Sequence, residues 1–249
     1  MNSRNRTIRK AIVLSSTPFK EDSAMVTLAG ENGIFSCLAK GIFKPKSNLK
    51  SLLITGNILE VDSSELNDGF CYAYGTKTLF DASLLLKDIR TSSFLLFFQE
   101  ICLSLFHFGD SFPFDDVRQI LSSMSEDGDV LSLCLLFLGR IYHSLGLSMN
   151  VHNCIRCGNQ VDIVSYSLKD GGFICKNCLH ENEIKVDDVD LYVLKFSFME
   201  LNPGILSKKV PFENGNRVFV KLYENIMDYF DIPHLRSFPF LIKTISDDL

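Results

Sequence analysis

The N-terminal third of the chain alternates short apolar runs with turn residues. Five such runs occur before Phe80, at residues 11–14, 25–28, 34–38, 52–61 (broken after Ile54) and 70–74. Runs of this length, separated by turn signals, are typical of β-strands. Glu31-Asn32-Gly33, between the second and third runs, supplies the Asn-Gly signal of a tight hairpin. The pattern predicts a small closed or partly closed five-stranded barrel, with the OB-fold as the leading candidate.

After Phe80 the apolar residues recur every three or four positions, which is helical spacing. The predicted helices cover 94–106, 117–124, 130–147, 187–201 and 216–230. The acidic pair Asp115-Asp116 suits the N-terminus of the second helix, where negative charge is favourable. Pro203 and Pro211 are predicted to break the chain between the last two helices.

The first predicted helix allows two other interpretations. Its aromatic stripe Phe94/Phe97/Phe98 resembles a base-stacking surface, but apolar stripes at helical spacing mostly pack in a core. The stretch 91–109 is also apolar enough to suggest a membrane span, but Gln99 and Glu100 at its centre favour a buried helix. The apolar run at 11–14 is too short for a secretory signal. We therefore expect a cytoplasmic protein.

Two cysteine pairs carry the most specific chemical signal in the sequence. Cys154-Ile-Arg-Cys157 and Cys175-Lys-Asn-Cys178 are separated by seventeen residues, and the segments 161–167 and 171–174 between them fit a short hairpin. Four thiolates at this spacing can surround one Zn²⁺ tetrahedrally, with metal–sulfur bonds of about 2.3 Å. Four sulfur ligands leave no position for an activated water, so we predict a structural zinc ion in a ribbon-like module.

Other chemistries fit the cysteine pairs less well. A disulfide pair is disfavoured in a cytosolic chain, and a redox dithiol explains only one CxxC. Haem attachment needs a histidine where Gly158 and Leu179 stand. His152 and His180 flank the pairs, but four cysteines already suffice as ligands, so exposed loop histidines are expected. The remaining cysteines lie in apolar runs and are expected to be buried, unreactive thiols; they are Cys37, Cys71, Cys102 and Cys134.

Charge is distributed unevenly along the chain. The 249 residues carry a net charge of −5, which by itself argues against a nucleic-acid partner. Residues 1–50, however, hold nine Lys or Arg against three Asp or Glu, a net of +6, so the other 199 residues carry −11. Such asymmetry suggests that one segment contacts polyanions.

The basic loop after the third predicted strand is the best candidate for that contact. In Lys40-Gly-Ile-Phe-Lys44-Pro-Lys46-Ser, cations alternate with an aromatic residue, and OB-folds combine such groups to hold phosphates and stack on bases. The predicted nucleic-acid-binding residues are Arg9, Lys10, Lys40, Lys44, Lys46 and Lys50. The sequence contains no GxxxxGK[ST], GxGxxG or GxSxG motif, so no enzymatic activity is expected.

The predicted fold class is α+β: an N-terminal five-stranded OB-fold barrel followed by an all-α domain that carries a four-cysteine zinc module. The predicted divisions are 1–80 for the DNA-binding barrel, 81–150 and 186–249 for the two parts of the helical domain, and 151–185 for the zinc module.

Several segments carry a family resemblance when they are taken in order. They are 11–14, 21–28, 38–41 with 46–47, 99–101, the Cys154–Cys178 module with Gly158 and Gly171-Gly172, and 234–241 with its Leu-Arg-Ser. In this order they resemble the RecO family of bacterial recombination mediators, nearly end to end. The chain departs from the family at Phe19-Lys-Glu21, where Tyr-Gly-Glu is usual, and at Phe43.

The resemblance implies a non-enzymatic DNA-repair protein with an OB-fold and a zinc module. Such a protein binds single- and double-stranded DNA and anneals complementary strands. With RecR it helps to load RecA onto DNA coated by single-strand-binding protein, at the nucleoid. The acidic tail of single-strand-binding protein needs an apolar groove edged by cations. The helices within 94–147, with Arg118 and Arg140, are candidates for that groove.

The alternative from another class is a zinc-ribbon transcription or translation factor whose ribbon contacts nucleic acid. Between Cys154 and Cys178 the charged residues are Arg156, Lys169 and Lys176 against Asp162 and Asp170, a net of only +1. So small a charge favours a structural ribbon. A zinc hydrolase needs an open ligand position, which four cysteines do not leave.

Overall fold

The barrel is present in the computed structural model of the chain, which describes residues 6–147 and 149–246. Its strands are β1 (Arg6–Phe19), β2 (Ser23–Gly30), β3 (Gly33–Lys40), β4 (Ile58–Ser64) and β5 (Phe70–Phe80). They close in the order β1-β2-β3-β5-β4. The long β1 closes the barrel because its first half pairs with β4 and its second half with β2. This arrangement confirms the predicted five-stranded OB-fold.

Alternating side chains build the core of the barrel. Along β3 every second residue is buried, because successive side chains of a strand point to opposite faces. Gly30 pairs with Gly33 across the predicted hairpin, so Glu31 and Asn32 form a two-residue turn. Gly33 has a φ of +85°, a conformation that glycine adopts without strain. The tight hairpin is therefore confirmed.

One part of the strand prediction was wrong. Residues 52–54, the first half of the fourth apolar run, do not belong to a strand, because Lys50–Leu53 forms a 3₁₀ helix. Leu52 in that helix is fully buried. Its apolar character therefore reflects burial. A short apolar run indicates burial but does not distinguish a helix from a strand.

The rest of the chain is mainly helical. The helices are α1 (Ile89–Leu105), α2 (Phe114–Ser125), α3 (Val130–Ser144), α4 (Asp188–Ser197), α5 (Pro203–Leu206), α6 (Phe212–Tyr229) and α7 (Ser237–Ser246). A three-stranded sheet of β6 (Asn150–Cys154), β7 (Ile163–Ser167) and β8 (Gly172–Cys175) lies between α3 and α4 in the sequence. A closed barrel followed by a helical region confirms the α+β class.

The aromatic stripe of α1 is part of the core. Phe94, Phe97 and Phe98 are fully buried, so the interpretation as core packing is confirmed. The helix begins after Asp88, whose carboxylate accepts a hydrogen bond of 2.7 Å from the backbone N–H of Arg90. Over residues 6–147 and 149–246, no helix has the length and hydropathy needed to cross a membrane.

The predicted helix ends shift by a few residues. Pro211 directly precedes α6, which starts at Phe212, four residues earlier than predicted. Pro203 opens the one-turn helix α5, a position where its missing N–H costs no hydrogen bond. Helix α7 was not among the predicted helices, although its first residues carry part of the family resemblance.

The chain divides into two compact units, Met1–Ser125 with Leu235–Leu249, and Glu126–His234. The first unit contains the barrel, α1, α2 and α7, and in it the hydroxyls of Ser93 and Thr244 lie 2.7 Å apart. The second unit contains α3, the three-stranded sheet and α4 to α6. In it the buried Tyr142 hydroxyl donates to the Leu222 carbonyl over 3.0 Å.

Candidate metal centre and nucleic-acid interface

The two cysteine pairs meet at one end of the three-stranded sheet. Cys154 ends β6 and Cys175 ends β8, while Cys157 and Cys178 lie three residues further along the chain in each case. All four sulfur atoms lie within 4.8 Å of one another, and those of Cys157 and Cys175 are 3.6 Å apart. A tetrahedron of 2.3 Å zinc–sulfur bonds has edges of about 3.8 Å. The four thiols are therefore positioned to bind one tetrahedral metal ion.

The turn around the first cysteine pair favours the thiolate form of Cys154, the form that binds a metal. The Gly158 N–H donates to the Cys154 carbonyl over 2.8 Å, and Gly158 has a φ of +76°, so glycine suits this position. Burial opposes ionisation of the Cys154 thiol. Backbone N–H groups of Cys175, Arg156 and Cys157 outweigh it and lower the pKa of this thiol to about 6. Metals bind the thiolate form, so this environment favours ligation.

Arg156, inside the first CxxC, is held by groups on both sides of the cluster. Its guanidinium makes two hydrogen bonds to the Glu183 carboxylate and one of 2.7 Å to Asp170. It also donates to the Cys178 carbonyl over 2.7 Å. The two bonds from Arg156, with one from the backbone N–H of His180, lower the pKa of the Glu183 carboxyl to about 2. The charge of Arg156 is thus compensated within the module, which leaves Lys169 and Lys176 as the exposed cations of the ribbon.

The remaining histidines and cysteines named above lie apart from the four ligands. His152 and His180 are exposed, and neither belongs to the cluster of four sulfur atoms. The other four cysteines are buried. Burial raises the pKa of the Cys102 and Cys134 thiols well above the ordinary value, which keeps both thiols protonated.

An open groove of about 540 Å³ lies on the barrel, at the end of β3. The end of β3, the loop that follows it and the middle of β5 form its walls. Three of the six predicted DNA-binding residues line this groove: Lys40, Lys44 and Lys46. All three are exposed, so the structure brings together the cations of the basic loop.

The loop that carries these lysines is anchored to β5. The Thr76 hydroxyl donates to the Asn48 carbonyl over 2.7 Å and lies 2.7 Å from the Ser51 hydroxyl. The Lys44 ammonium lies 3.7 Å from the Asp22 carboxylate, and both side chains are more than half exposed. An exposed pair of this kind is weak, so Lys44 is available to a competing phosphate.

Of the other three predicted residues, Arg9 and Lys10 lie elsewhere on the barrel, whereas Lys50 contacts the basic loop without lining the groove. Arg9 and Lys10 line a second cavity of about 340 Å³, which shares no residue with the groove. The Arg9 guanidinium donates to the Ser63 hydroxyl over 2.7 Å and to the Ser64 carbonyl over 3.0 Å. The Lys50 ammonium donates to the Pro45 carbonyl over 2.9 Å. The six cations therefore do not form one cluster.

Two tyrosines in the groove were missed by the sequence reasoning, which treated 70–74 only as a strand. Tyr72 and Tyr74 line the groove beside Lys40. Their positions alternate with the buried Cys71 and Ala73. This alternation was visible in the sequence and was the signal that would have placed both rings on the outer face.

The two helical segments of the family resemblance meet in the first unit. The Glu100 carboxylate on α1 accepts hydrogen bonds from the backbone N–H groups of Arg236 (3.1 Å) and Ser237 (2.8 Å), where α7 begins. Burial would raise the pKa of the Glu100 carboxyl, but the bonds from Ser237 and Arg236 hold it below its ordinary value. Glu100 thus satisfies the free N–H groups at the start of α7.

Arg118 and Arg140, the two cations suggested for a groove on the helices, each interact with another residue of the chain. Arg118 lies 3.3 Å from Asp115 on the same helix, and both are exposed. Arg140 donates to the Met199 carbonyl over 3.0 Å. Arg118 lies in the first unit and Arg140 in the second.

Comparison with known proteins assigns the chain to a family. Residues 3–70 match the model for Recombination protein O N terminal, and residues 86–202 match that for Recombination protein O C terminal. DNA repair protein RecO of Oceanobacillus iheyensis is 22% identical over 183 residues, 68% of this chain and 66% of that protein. DNA repair protein RecO of Bacillus cereus (strain AH187) is 26% identical over 187 residues, 71% of this chain and 72% of that protein. The two matches follow the barrel and the helical region with its cysteine cluster, and the chain belongs to the RecO family of recombination and DNA repair proteins.

Proposed function

We propose that this chain is a non-enzymatic recombination mediator that binds DNA through its barrel and anneals complementary single strands. The observation that carries the proposal is the groove at the end of β3, where Lys40, Lys44 and Lys46 converge in a chain of the RecO family. OB-folds bind single strands in a cationic groove of this kind.

Annealing follows from charge neutralisation. Two complementary strands repel each other through their phosphates, and each lysine that contacts a phosphate releases condensed counterions. Cations gathered on one loop lower this repulsion locally and allow bases to pair. Arg9, Lys10 and Lys50 extend the proposed contact surface beyond the groove. They are secondary to the three groove lysines because none of them lines the groove, and because Arg9 and Lys50 already make hydrogen bonds.

The metal at the cysteine cluster is proposed to be zinc, in a structural role. Four thiolates in tetrahedral geometry are the donor set that zinc prefers in structural sites. Cys154, Cys157, Cys175 and Cys178 would hold it, and four ligands complete its coordination. When bound, zinc would contribute folding free energy to the module.

Partner proteins complete the proposed role. With RecR, the chain would help to load the recombinase RecA onto DNA coated by single-strand-binding protein, and the helical region would hold the tail of that protein. Such a role requires access to chromosomal DNA, so we propose a cytoplasmic, nucleoid-associated location.

The test is annealing of complementary oligonucleotides coated with single-strand-binding protein, with and without the chain. Acceleration by the wild-type chain, and its loss in a Lys40→Ala/Lys44→Ala/Lys46→Ala variant, is the expected result. Unchanged annealing by that variant, with loss in a Lys169→Ala/Lys176→Ala variant, would instead identify the ribbon as the DNA-binding surface. The partner claim is checked by adding RecR and RecA and measuring filament formation.

A further inference from the structure

The outer face of β5 presents aromatic rings to the groove. Cys71 and Ala73 point into the barrel core, where both are buried. Tyr72 and Tyr74 occupy the alternate positions and line the groove. Because side chains of a strand alternate between its faces, both rings lie on the same outer surface, next to the three lysines.

Neighbouring groups hold each ring in place. The Lys40 ammonium lies 5.4 Å from the centre of the Tyr72 ring, and the Arg6 guanidinium lies 4.5 Å from that of Tyr74. Arg6 is itself fixed by Asp62 at 3.2 Å. The Phe70 ring meets Tyr72 edge to face, with ring centres 5.3 Å apart. Each cation lies over one face of its ring, so a base would stack on the opposite face. Rings held in this way lose little freedom when a ligand stacks on them.

The spacing of the two rings selects the form of DNA that fits them. Residues two apart on a strand are separated by about 6.6 Å. Successive nucleotides in one strand of a duplex are separated by about 3.4 Å along the axis. Neighbouring bases can rest on both tyrosines only if they are unstacked from each other, and paired bases in a duplex cannot do so.

We propose that Tyr72 and Tyr74 form a stacking platform for two bases of single-stranded DNA, whose phosphates are held by Lys40, Lys44 and Lys46. The inference rests on the proposed function and assigns different contacts to the lysines and to the tyrosines. The lysines supply a contact that depends on salt and is shared by single and double strands. The tyrosines supply a contact that is independent of salt and specific to single strands.

The experiment separates these two contacts. Binding of an oligothymidylate, of an abasic strand with the same number of phosphates, and of a duplex is measured over a range of salt concentrations. The proteins are the full-length wild-type chain, Tyr72→Val, Tyr74→Val and Tyr72→Phe. Valine keeps the β-propensity of the strand and phenylalanine keeps the ring. Tyr229→Val is the matched control, because Tyr229 is 65% exposed and lies on α6 in the other unit.

Each valine variant is expected to bind the oligothymidylate between about 5- and 150-fold more weakly, the range for one base stacked on an aromatic ring. The slope of affinity against salt should not change. Binding of the abasic strand and of the duplex should match wild type. Tyr72→Phe, which keeps the ring, should bind the oligothymidylate more tightly than Tyr72→Val, and Tyr229→Val should retain full affinity. Thermal melting checks that every variant is folded.

Three results would overturn the proposal, and they are distinguishable. If the wild-type chain binds the oligothymidylate with a steep salt dependence but prefers it no more than the abasic strand, the platform is wrong and the proposed DNA binding stands. If the wild-type chain binds none of the three ligands, the proposed function fails as well. Equal losses on the base-bearing and abasic strands would likewise refute stacking, since they would show that the tyrosines only position Lys40.

Discussion

Removing the three groove lysines should flatten the salt dependence of DNA binding in a predictable way. Each phosphate contact on a single strand contributes about 0.7 to the slope of log affinity against log salt. Lys40, Lys44 and Lys46 all line the groove and are exposed, so each is free to reach a phosphate. Their replacement by alanine should lower the slope by about two.

This change corresponds to a large difference over an ordinary range of salt. Between 50 and 200 mM salt, a slope difference of about two means that the wild-type chain loses about 16-fold more affinity than the variant. The weak pair between Lys44 and Asp22 at 3.7 Å does not alter this expectation, because both side chains are largely exposed. Fluorescence anisotropy with a labelled oligonucleotide, at five or six salt concentrations, measures both slopes.

The matched control removes the same charge from another surface. Lys169, Lys176 and Lys185 are exposed residues in the region of the zinc module, and their triple alanine variant has the same net charge as the groove variant. Its slope should equal that of wild type. If both triple variants flatten the slope equally, binding follows net charge and the groove argument fails. If only the control variant flattens it, the zinc module contacts the DNA.

Three further predictions concern the metal and the two units. Metal analysis of protein never exposed to chelator should find about one zinc per chain, and Cys157→Ser should reduce this content severalfold. Gly139→Ala should lower the free energy of unfolding by about 2 kcal/mol or more in urea titration. The added Cβ would lie 1.8 Å from the Ser197 carbonyl oxygen. Gly204→Ala is the control, because its Cβ meets no such obstacle. Glu100→Gln should cost about 1–2 kcal/mol at pH 7. Because the folded pKa of Glu100 lies below its ordinary value of 4.5, urea titrations should show the gap between wild type and Glu100→Gln shrinking as the pH falls below that value.

The barrel could be predicted from the sequence because the patterns that specify its strands and turns are local. Period-two burial along β3 and the Gly33 turn each specify a strand or its end. The short run at 52–54 was assigned wrongly because a local apolar pattern is ambiguous. A buried residue such as Leu52 gives the same pattern in a strand and in a 3₁₀ helix. The α7 helix was missed although its apolar residues recur at helical spacing, as in Phe238, Leu241 and Ile245. What no local pattern shows is that its first turn is capped by Glu100, more than a hundred residues earlier in the chain.

The candidate sites differ in how much the sequence determines. Two CxxC pairs fix their own local geometry, so the convergence of the four sulfur atoms was predictable from spacing. A cluster of surface cations has no such signature. Counting charges selected Lys44 and Arg9 alike, yet Lys44 lines the groove and Arg9 is bonded to Ser63 and Ser64 elsewhere on the barrel. Only the folded arrangement of the strands shows that these two residues lie on different parts of the barrel.

The same distinction explains how an acidic chain can bind a polyanion. The net charge of −5 averages over the whole sequence, but exposed charges interact mainly within about 8 Å at physiological ionic strength. On the barrel, two acidic groups are paired with cations: Asp62 with Arg6 at 3.2 Å and Glu60 with Lys77 at 3.3 Å. In the ribbon the pairing runs the other way, because Glu183 and Asp170 compensate the cation Arg156. The net charge of the whole chain therefore underestimates the attraction at the groove, where three lysines line one surface. At the ribbon, the net of +1 overestimates the attraction because Glu183 also compensates Arg156, so the groove is the stronger candidate for DNA.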